Sequence, residues 1–102
     1  MSVFMMLQVE GDPKRLQDAM AANGARLEKI NASAKEHGAI HHRFFASADG
    51  GTLAVFDEWE SEEGFKRFFG SSPEIPQLMQ EAGVTSEPRI AFWHPVDTPD
   101  QF

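Results

Sequence analysis

The feature that most constrains the fold is a hairpin pattern in the middle of the chain. Two runs with the composition of β-strands, 40–47 and 52–59, are separated only by the segment ADGG. Consecutive glycines in a short segment between two such runs are typical of an antiparallel β-hairpin. The chain is therefore predicted to form an antiparallel sheet, against which the remaining elements must pack.

A strand and a long helix are predicted before the hairpin. Residues 3–9 form an apolar run of strand length. Asp12 then has a side chain suited to the N-cap of a helix, and Pro13 suits the first helical position. From there, apolar residues recur every three or four positions as far as the stop signal at Gly38, with Gly24 as a weak point. This periodicity predicts one long amphipathic helix.

A helical region broken in two and a last strand are predicted after the hairpin. Ser61 is a suitable N-cap, residues 70–73 interrupt the helical pattern, and residues 86–94 form the last strand. The resulting order, βαββαβ, predicts an α+β domain of ferredoxin-like topology, with a four-stranded antiparallel sheet and its helices on one face. We expect a single domain over residues 1–94 and a polar tail over residues 95–102.

The predicted strands are apolar on both faces. Neighbouring strand residues point to opposite faces, so Phe44 and Phe45 lie on different sides of the sheet, as do Phe92 and Trp93. A sheet whose second face met water would alternate apolar and polar residues. The helices can cover only one face, and the other would leave an apolar patch larger than monomers tolerate. We therefore predict a homodimer in which the uncovered sheet faces pack together.

The composition narrows the classes of partner. The chain has 102 residues, 16 acidic against 9 basic side chains, and a net charge of −7. Nucleic acids and anionic membranes are bound through basic surfaces, so neither is an expected partner. The apolar N-terminal run lacks the basic region of a signal peptide, and no segment has the length and apolarity of a membrane span. We expect a cytoplasmic protein.

Two adjacent histidines in the first hairpin strand are the most chemically promising residues. His41 and His42 point to opposite faces of a regular strand, so they cannot bind one metal ion together, and no metal site is predicted. A four-residue hairpin loop places His42 opposite Asp57, and a two-residue loop places it opposite Trp59. A loop of odd length would instead pair Arg43 with Asp57. The register, and hence which histidine faces the helices, stays open.

A loop of even length would put His42 and Asp57 on the more apolar face, which we assign to the helix side. A histidine whose tautomer is fixed by a carboxylate in an apolar pocket is a suitable general base. The two residues also fit a simple polar pair beneath the first helix, with Asn23 as a further partner, because buried polar groups need partners whatever the function. From the sequence alone we favour this structural interpretation.

The segment FDEWESEEGFKRFFGSSPEI, residues 56–75, resembles the small proteins related to antibiotic-biosynthesis monooxygenases in the dimeric α+β barrel superfamily. The resemblance lies in a strand ending in E-x-W, the pattern S-x-x-x-F, and a short helix ending at S-P. It implies a homodimer of ferredoxin-like domains with a ligand cavity between the sheet and the helices. Activities in that superfamily include cofactor-independent oxygenation of aromatic substrates and haem degradation.

The haem-degrading branch has a residue pattern that can be compared with this chain. The pattern typical of that branch consists of an asparagine on the first strand, a tryptophan on a later helix, and a haem-ligating histidine farther along the chain. Here the first strand offers Gln8, the tryptophan position falls near Phe68, and the histidine position falls near Leu78 or Met79. No histidine lies between His42 and His94, so the axial ligand of the pattern is missing here. Haem is therefore not an expected cofactor, and no other cofactor is predicted.

Three functional hypotheses stay open. In the first, the chain is a cofactor-independent monooxygenase for a hydrophobic aromatic substrate, with His42 as base and Asp57 as its orienting partner. In the second, the same cavity binds a hydrophobic ligand without transforming it. In the third, the core is filled and the domain serves an interaction role. The residues expected around a ligand are Trp59, Phe44, Phe68 and Asn23.

Overall fold

Four strands and four helices make up the fold of residues 2–102, which the computed structural model describes. The strands are β1 (Val3–Glu10), β2 (Ala39–Ala46), β3 (Thr52–Trp59) and β4 (Arg89–Trp93). The helices are α1 (Pro13–Ala22), α2 (Gly24–Glu36), α3 (Glu62–Gly70) and α4 (Glu74–Glu81). Within this described part of the chain, the helices are all too short or too polar to cross a membrane.

The strands form one antiparallel sheet in the order β2-β3-β1-β4. Strands β1 and β3 are central, and their odd-numbered residues form the helix-covered face. Met5, Val9, Leu53 and Trp59, all on that face, are at most 4% exposed. The element order and the sheet order are those of the ferredoxin-like α+β fold, so the predicted fold class is confirmed.

The long helix predicted before the hairpin is in fact two helices, α1 and α2, divided at Asn23. This residue has φ −123° and ψ 35°, outside helical geometry. Its Nδ2 donates to the carbonyl of Ala19 at 2.7 Å, and its Oδ1 accepts from Arg26 at 3.0 Å. Asparagine side chains compete for backbone groups in this way, and Gly24 adds a poor helix former directly after it. The prediction of one continuous helix is therefore wrong.

The core consists of two clusters on the helix-covered face of the sheet. The larger contains Trp59, Phe65 and Phe68, and the smaller contains Leu16 and Ala82. Helix α2 contributes little to either, because every one of its residues, 24–36, keeps more exposure than a core residue. Its apolar stripe faces the sheet, where Ile30 and Ala34 are partly buried against the larger cluster, and space remains beside them between α2 and the strands.

Helices α2 and α3 meet at one close approach. The N-terminus of α3 is capped by Ser61, whose Oγ accepts from the Gly64 N–H at 3.0 Å. A β-carbon added at Gly64 would collide with the backbone carbonyl oxygen of His37, at the end of α2. Glycine at this position therefore lets the end of α2 pack against the first turn of α3.

The other face of the sheet is uncovered and apolar. Phe4, Phe45, Phe56 and Trp93 are each between 40% and 55% exposed on this face. Phe45 and Phe56 pack edge to face, with ring centroids 5.2 Å apart. These side chains belong to all four strands, so the apolar surface crosses the whole width of the sheet.

Candidate functional site

The hairpin between β2 and β3 has the register that places His42 directly opposite Asp57. The N–H of Ser47 donates to the carbonyl of Thr52 at 2.8 Å, which leaves residues 48–51 as the loop. Of the registers that the sequence allows, the one set by a four-residue loop is therefore the one adopted.

The loop sequence explains this length. Asp49 Oδ1 accepts from the Ser47 hydroxyl at 2.7 Å and from the Gly51 N–H at 2.9 Å. These bonds, that from Ser47 first, favour the carboxylate and lower the pKa of Asp49 below its ordinary value. Gly50 has φ +77°, in the left-handed region that favours glycine. The segment ADGG thus fixes the loop length, and the loop length fixes the face on which His42 lies.

A β-bulge lies at the start of β2. Ala39 is opposite Trp59 and His41 is opposite the preceding residue of β3, so Ile40 is the extra residue. The bulge lets Ala39 take the place beside Trp59 and leaves Ile40 45% exposed. The alternation along the strand predicts Ile40 on the same side as His42, and both residues line the space between the sheet and the helices.

The two histidines lie on opposite faces of the sheet, as strand geometry predicts. His41 is on the uncovered face, with its Nε2 3.9 Å from the carboxylate of Glu58 and its side chain 79% exposed. His42 is on the helix-covered face, where its ring packs edge to face against Phe44 at 5.4 Å between centroids. Only His42 therefore combines a buried polar partner with an apolar neighbour.

Asp57 is the centre of a small hydrogen-bonded group. Its residue is 7% exposed, and its two oxygens are engaged separately. Oδ1 lies 2.7 Å from His42 Nδ1, and Oδ2 accepts from the indole Nε1–H of Trp59 at 3.0 Å. Trp59 is itself 1% exposed, so its indole is held in place by the core. A buried carboxylate is thus satisfied by one half-exposed donor and one buried donor.

This arrangement determines which nitrogen of His42 is free to react. An ionised carboxylate only accepts hydrogen bonds, so Nδ1 carries the proton that is shared with Asp57. In the neutral imidazole, Nε2 is then the acceptor, and the histidine side chain is 49% exposed. The site therefore presents a basic nitrogen, oriented by a buried carboxylate, to whatever occupies the adjoining space.

That space is a cleft of about 720 Å³ between the sheet and α2. Its floor is the helix-covered face of β1 and β3, including Met5, Leu7 and Asp57, and Ile30 of α2 lies on its opposite side. Strand β2 is an edge strand with mostly exposed residues, and His42 lies on it. The volume is in the range that small-molecule sites have in proteins.

Of the four residues predicted to surround a ligand, three line the cleft and one lies elsewhere. Trp59, Phe44 and Phe68 line the cleft together with His42. Asn23 lies instead at the junction of α1 and α2, where its side chain bonds to Ala19 and Arg26. Its predicted place beside the histidine and the aspartate is wrong, because the helix break uses both ends of its amide.

Several cleft residues were not predicted from the sequence. They come from α2 and from the segment after α4, and they include Ile30, Asn31, Lys35, Val84 and Ser86. The apolar stripe of α2 is visible in the sequence, but periodicity indicates only which face of a helix turns inward. It does not indicate how far the helix stands from the sheet, which is what leaves these side chains around open space.

Comparison of this chain with solved structures supports the fold. No protein-family model matches the chain, and no curated protein matches it significantly. Among solved structures, a monooxygenase of Streptomyces coelicolor, in complex with nanaomycin D, is 22% identical, with 95% of this chain and 88% of that one covered and a TM-score of 0.65. A cofactor-independent oxygenase of Streptomyces nogalater is 13% identical, with coverage of 98% and 97% and a TM-score of 0.62.

A third structure, a dimeric ferredoxin-like protein from an uncultured marine organism, is 12% identical, with coverage of 99% and 93% and a TM-score of 0.67. The chain has the fold of the antibiotic-biosynthesis monooxygenase-like proteins. The predicted resemblance is thereby confirmed for the fold. In this monooxygenase-like fold, the cleft and the His42–Asp57 pair are the features of the chain on which a function can be argued.

Proposed function

We propose that this chain is a homodimeric, cofactor-independent oxygenase that binds a hydrophobic aromatic substrate in the cleft, with His42 as general base. The observation that carries the proposal is the 2.7 Å contact between His42 Nδ1 and a buried carboxylate beside an apolar cleft. This contact gives Nε2 the role of proton acceptor. A general base must lie within hydrogen-bond reach of the proton that it removes, and a ligand in the cleft adjoins His42.

The reaction that suits such a site begins at an acidic C–H or O–H group next to an aromatic ring. For an activated methylene, His42 Nε2 takes the proton and leaves an electron-rich carbanion. Dioxygen, the oxidant, adds to the carbanion, and the proton returns to the resulting peroxide. Loss of water then gives a ketone, so that R₂CH₂ and O₂ become R₂C=O and H₂O. Asp57 stabilises the imidazolium that exists between the two proton transfers.

The walls of the cleft favour an aromatic ring at this position. Phe44 and Trp59 flank the histidine and the aspartate, and Phe68 lies against Trp59 with ring centroids 5.5 Å apart. Aromatic rings attract one another through offset and edge-to-face contacts, which add to the burial of apolar area. Two of the similar structures are described as oxygenases, and one holds the ligand nanaomycin D, which supports the same class of reaction.

The second candidate function is binding without turnover. Its support is that Asp57 has both oxygens engaged by the protein itself, so the pair is a complete polar unit without any substrate. In that case the cleft holds a hydrophobic ligand, and His42 contributes a hydrogen bond. The two candidates differ in one measurable property, which is whether oxygen is consumed when a ligand is bound.

The experiment compares two histidines, one inside and one outside the cleft. Oxygen uptake is measured with anthrone-type and naphthol-type substrates for the unmodified protein, His42→Gln and His94→Gln. Loss of a general base lowers turnover by about 10²- to 10⁴-fold, whereas His94→Gln, at an exposed residue outside the cleft, leaves it unchanged. Full activity of His42→Gln would remove the base from the proposal. Binding of these compounds by the unmodified protein with no oxygen uptake would favour the second candidate.

The homodimer rests on the uncovered face of the sheet. Phe4, Phe56 and Trp93 are large apolar side chains that stay 40% to 55% exposed in the single chain. Exposed apolar patches of this breadth are typical of interfaces, and most soluble oligomers are two-fold symmetric. One of the similar structures is described as dimeric, which supports the same arrangement. A second copy packed face to face would bury these rings and leave the two clefts on the outer sides.

A further inference from the structure

The cleft extends far past the His42–Asp57 pair. Met5 lies opposite Asp57 in the sheet, and both line the cleft. Val9 lines it too, four residues farther along the same strand and on the same face. Four residues of β-strand span about 13 Å, so the cleft runs along β1 for roughly that distance beyond the histidine. A single aromatic ring system at His42 leaves the far part unoccupied.

The two ends of the cleft differ in chemistry. The near end holds the aromatic side chains and the polar pair described above. The far end is lined by aliphatic and thioether side chains, which are Leu7, Val9, Met20, Leu27, Met79 and Val84. Of these, only Val9 is buried, and the other five stay partly exposed although they line the cleft. Apolar side chains that stay partly exposed inside a helix–sheet layer indicate space that an apolar group can fill.

The polar groups at the far end are already engaged or turned to water. Ser86 Oγ accepts from the Glu10 N–H at 2.8 Å. Gln80 and Glu87 are exposed residues at the margin of the cleft. A ligand group that extends to this end therefore meets hydrocarbon and sulfur, and methionine side chains adapt readily to flexible chains.

We propose that the ligand of this cleft is an aromatic ring that carries a linear hydrocarbon chain. The ring lies at His42, and the chain runs along β1 to the pocket formed by Met20, Met79 and Val84. A span of about 13 Å accommodates an extended chain of roughly ten carbon atoms. The inference rests on the proposed function in one respect, which is that His42 marks the end where the ring binds.

The test measures affinity against chain length. Phenol and a series of 4-alkylphenols with up to twelve carbons in the chain are titrated into the protein by calorimetry. Burial of each methylene strengthens binding by about fourfold, and the increase should stop at roughly ten carbons. Val84→Phe fills the far end, so its affinities should match those of the unmodified protein for short chains and reach their plateau several carbons earlier.

Matched variants distinguish binding at the far end of the cleft from nonspecific hydrophobic binding and from misfolding. Val96→Phe, in the exposed tail, should keep the full chain-length profile. Met20→Phe fills the far end from helix α1. It serves as the second filling variant if Val84→Phe does not fold, and it should likewise bring the plateau to shorter chains. An affinity independent of chain length, or a profile unaltered by both filling variants, overturns the inference.

Failure of the proposed function has a different signature. If oxygen uptake does not depend on His42 but the chain-length profile and its truncation persist, the hydrocarbon subsite stands and the catalytic role falls. If phenol binds with unchanged affinity in His42→Gln while longer chains still gain, the ring is bound elsewhere than at His42, and the proposed orientation of the ligand is wrong. Absence of binding for the entire series overturns the hydrocarbon subsite, whereas the oxygenase proposal is decided separately by oxygen uptake with the anthrone-type and naphthol-type substrates.

Discussion

Replacing Asp57 with asparagine should invert the tautomer of His42 while keeping the shape of the site. The indole Nε1–H of Trp59 can only donate a hydrogen bond, and Trp59 is fixed in the core at 1% exposure. The amide oxygen of the new asparagine must therefore accept from Trp59, as Oδ2 of Asp57 does at 3.0 Å. The amide NH₂ then faces His42, whose Nδ1 must become an acceptor, so the proton moves to Nε2.

The expected loss of stability follows from two hydrogen bonds, those with His42 and Trp59, which change from charged to neutral when the carboxylate becomes an amide. Hydrogen bonds to charged groups contribute about 1.5–3 kcal/mol each and neutral ones about 0.5–1.5 kcal/mol. Because the His42 side chain is half exposed, its bond belongs at the low end of that range. We expect Asp57→Asn to lower the free energy of unfolding by about 2 kcal/mol, a fall in Tm of roughly 8–16 °C for a domain of this size. The effect on turnover should be larger than this loss of stability. We expect a fall of about 10⁴-fold, because the proton on Nε2 prevents His42 from accepting a proton from the substrate.

The assay is the ¹⁵N chemical shift of the two imidazole nitrogens, which distinguishes the tautomers in neutral histidine. The unmodified protein should carry its proton on Nδ1 and Asp57→Asn on Nε2. Glu58→Gln is the matched control, since it changes the neighbouring carboxylate on the opposite face and should leave the shifts of His42 unaltered. A proton on Nε2 in the unmodified protein, or the same tautomer in both proteins, would refute the reasoning.

Two further predictions concern the dimer and the helix contact. Phe56→Glu puts a charge at the centre of the uncovered face and should convert the dimer into a monomer, as measured by light scattering. Val96→Glu, in the exposed tail, should leave the dimer intact. A monomeric unmodified protein at micromolar concentration would contradict the dimer. Gly64→Ala should destabilise the fold by about 1–3 kcal/mol in urea unfolding, because its methyl group meets the carbonyl of His37. Gly24→Ala, where a β-carbon meets open space, should be neutral or slightly stabilising; equal effects of the two would refute the contact.

The fold could be predicted from the sequence because its local signals agree with one another. The segment ADGG, the strand runs on either side of it and the cap at Ser61 all indicate the elements that form. The break at Asn23 could not be predicted with the same rules, since an asparagine on an apolar stripe is compatible with a continuous helix. What decides there is a side chain that bonds to the backbone of its own helix, together with a glycine directly after it.

The pairing of His42 with Asp57 could be predicted only as one of several registers. Loop lengths of two, three and four residues all satisfy the turn residues present, and each puts a different residue opposite the aspartate. The deciding interactions are those of Asp49 with Ser47 and Gly51, which close the four-residue loop. The loop chemistry is thus as much a part of the site as the histidine, because a change of one residue in loop length turns His42 to the other face.

The cleft itself has a cause that no periodic pattern contains. Helix α2 has an apolar stripe, yet none of its residues, 24–36, reaches the burial of the core. Two contacts at its ends hold it in place: Arg26 with Glu81 of α4 at one end, and the carbonyl of His37 against Gly64 at the other. A helix held at both ends can be stable without packing tightly against the sheet. A hydrophobic ligand that buries the apolar area left uncovered gains binding free energy. The open cleft and the marginal packing of α2 are therefore one property, so a ligand that fills the cleft should also slow the amide hydrogen exchange of α2 more than that of α3.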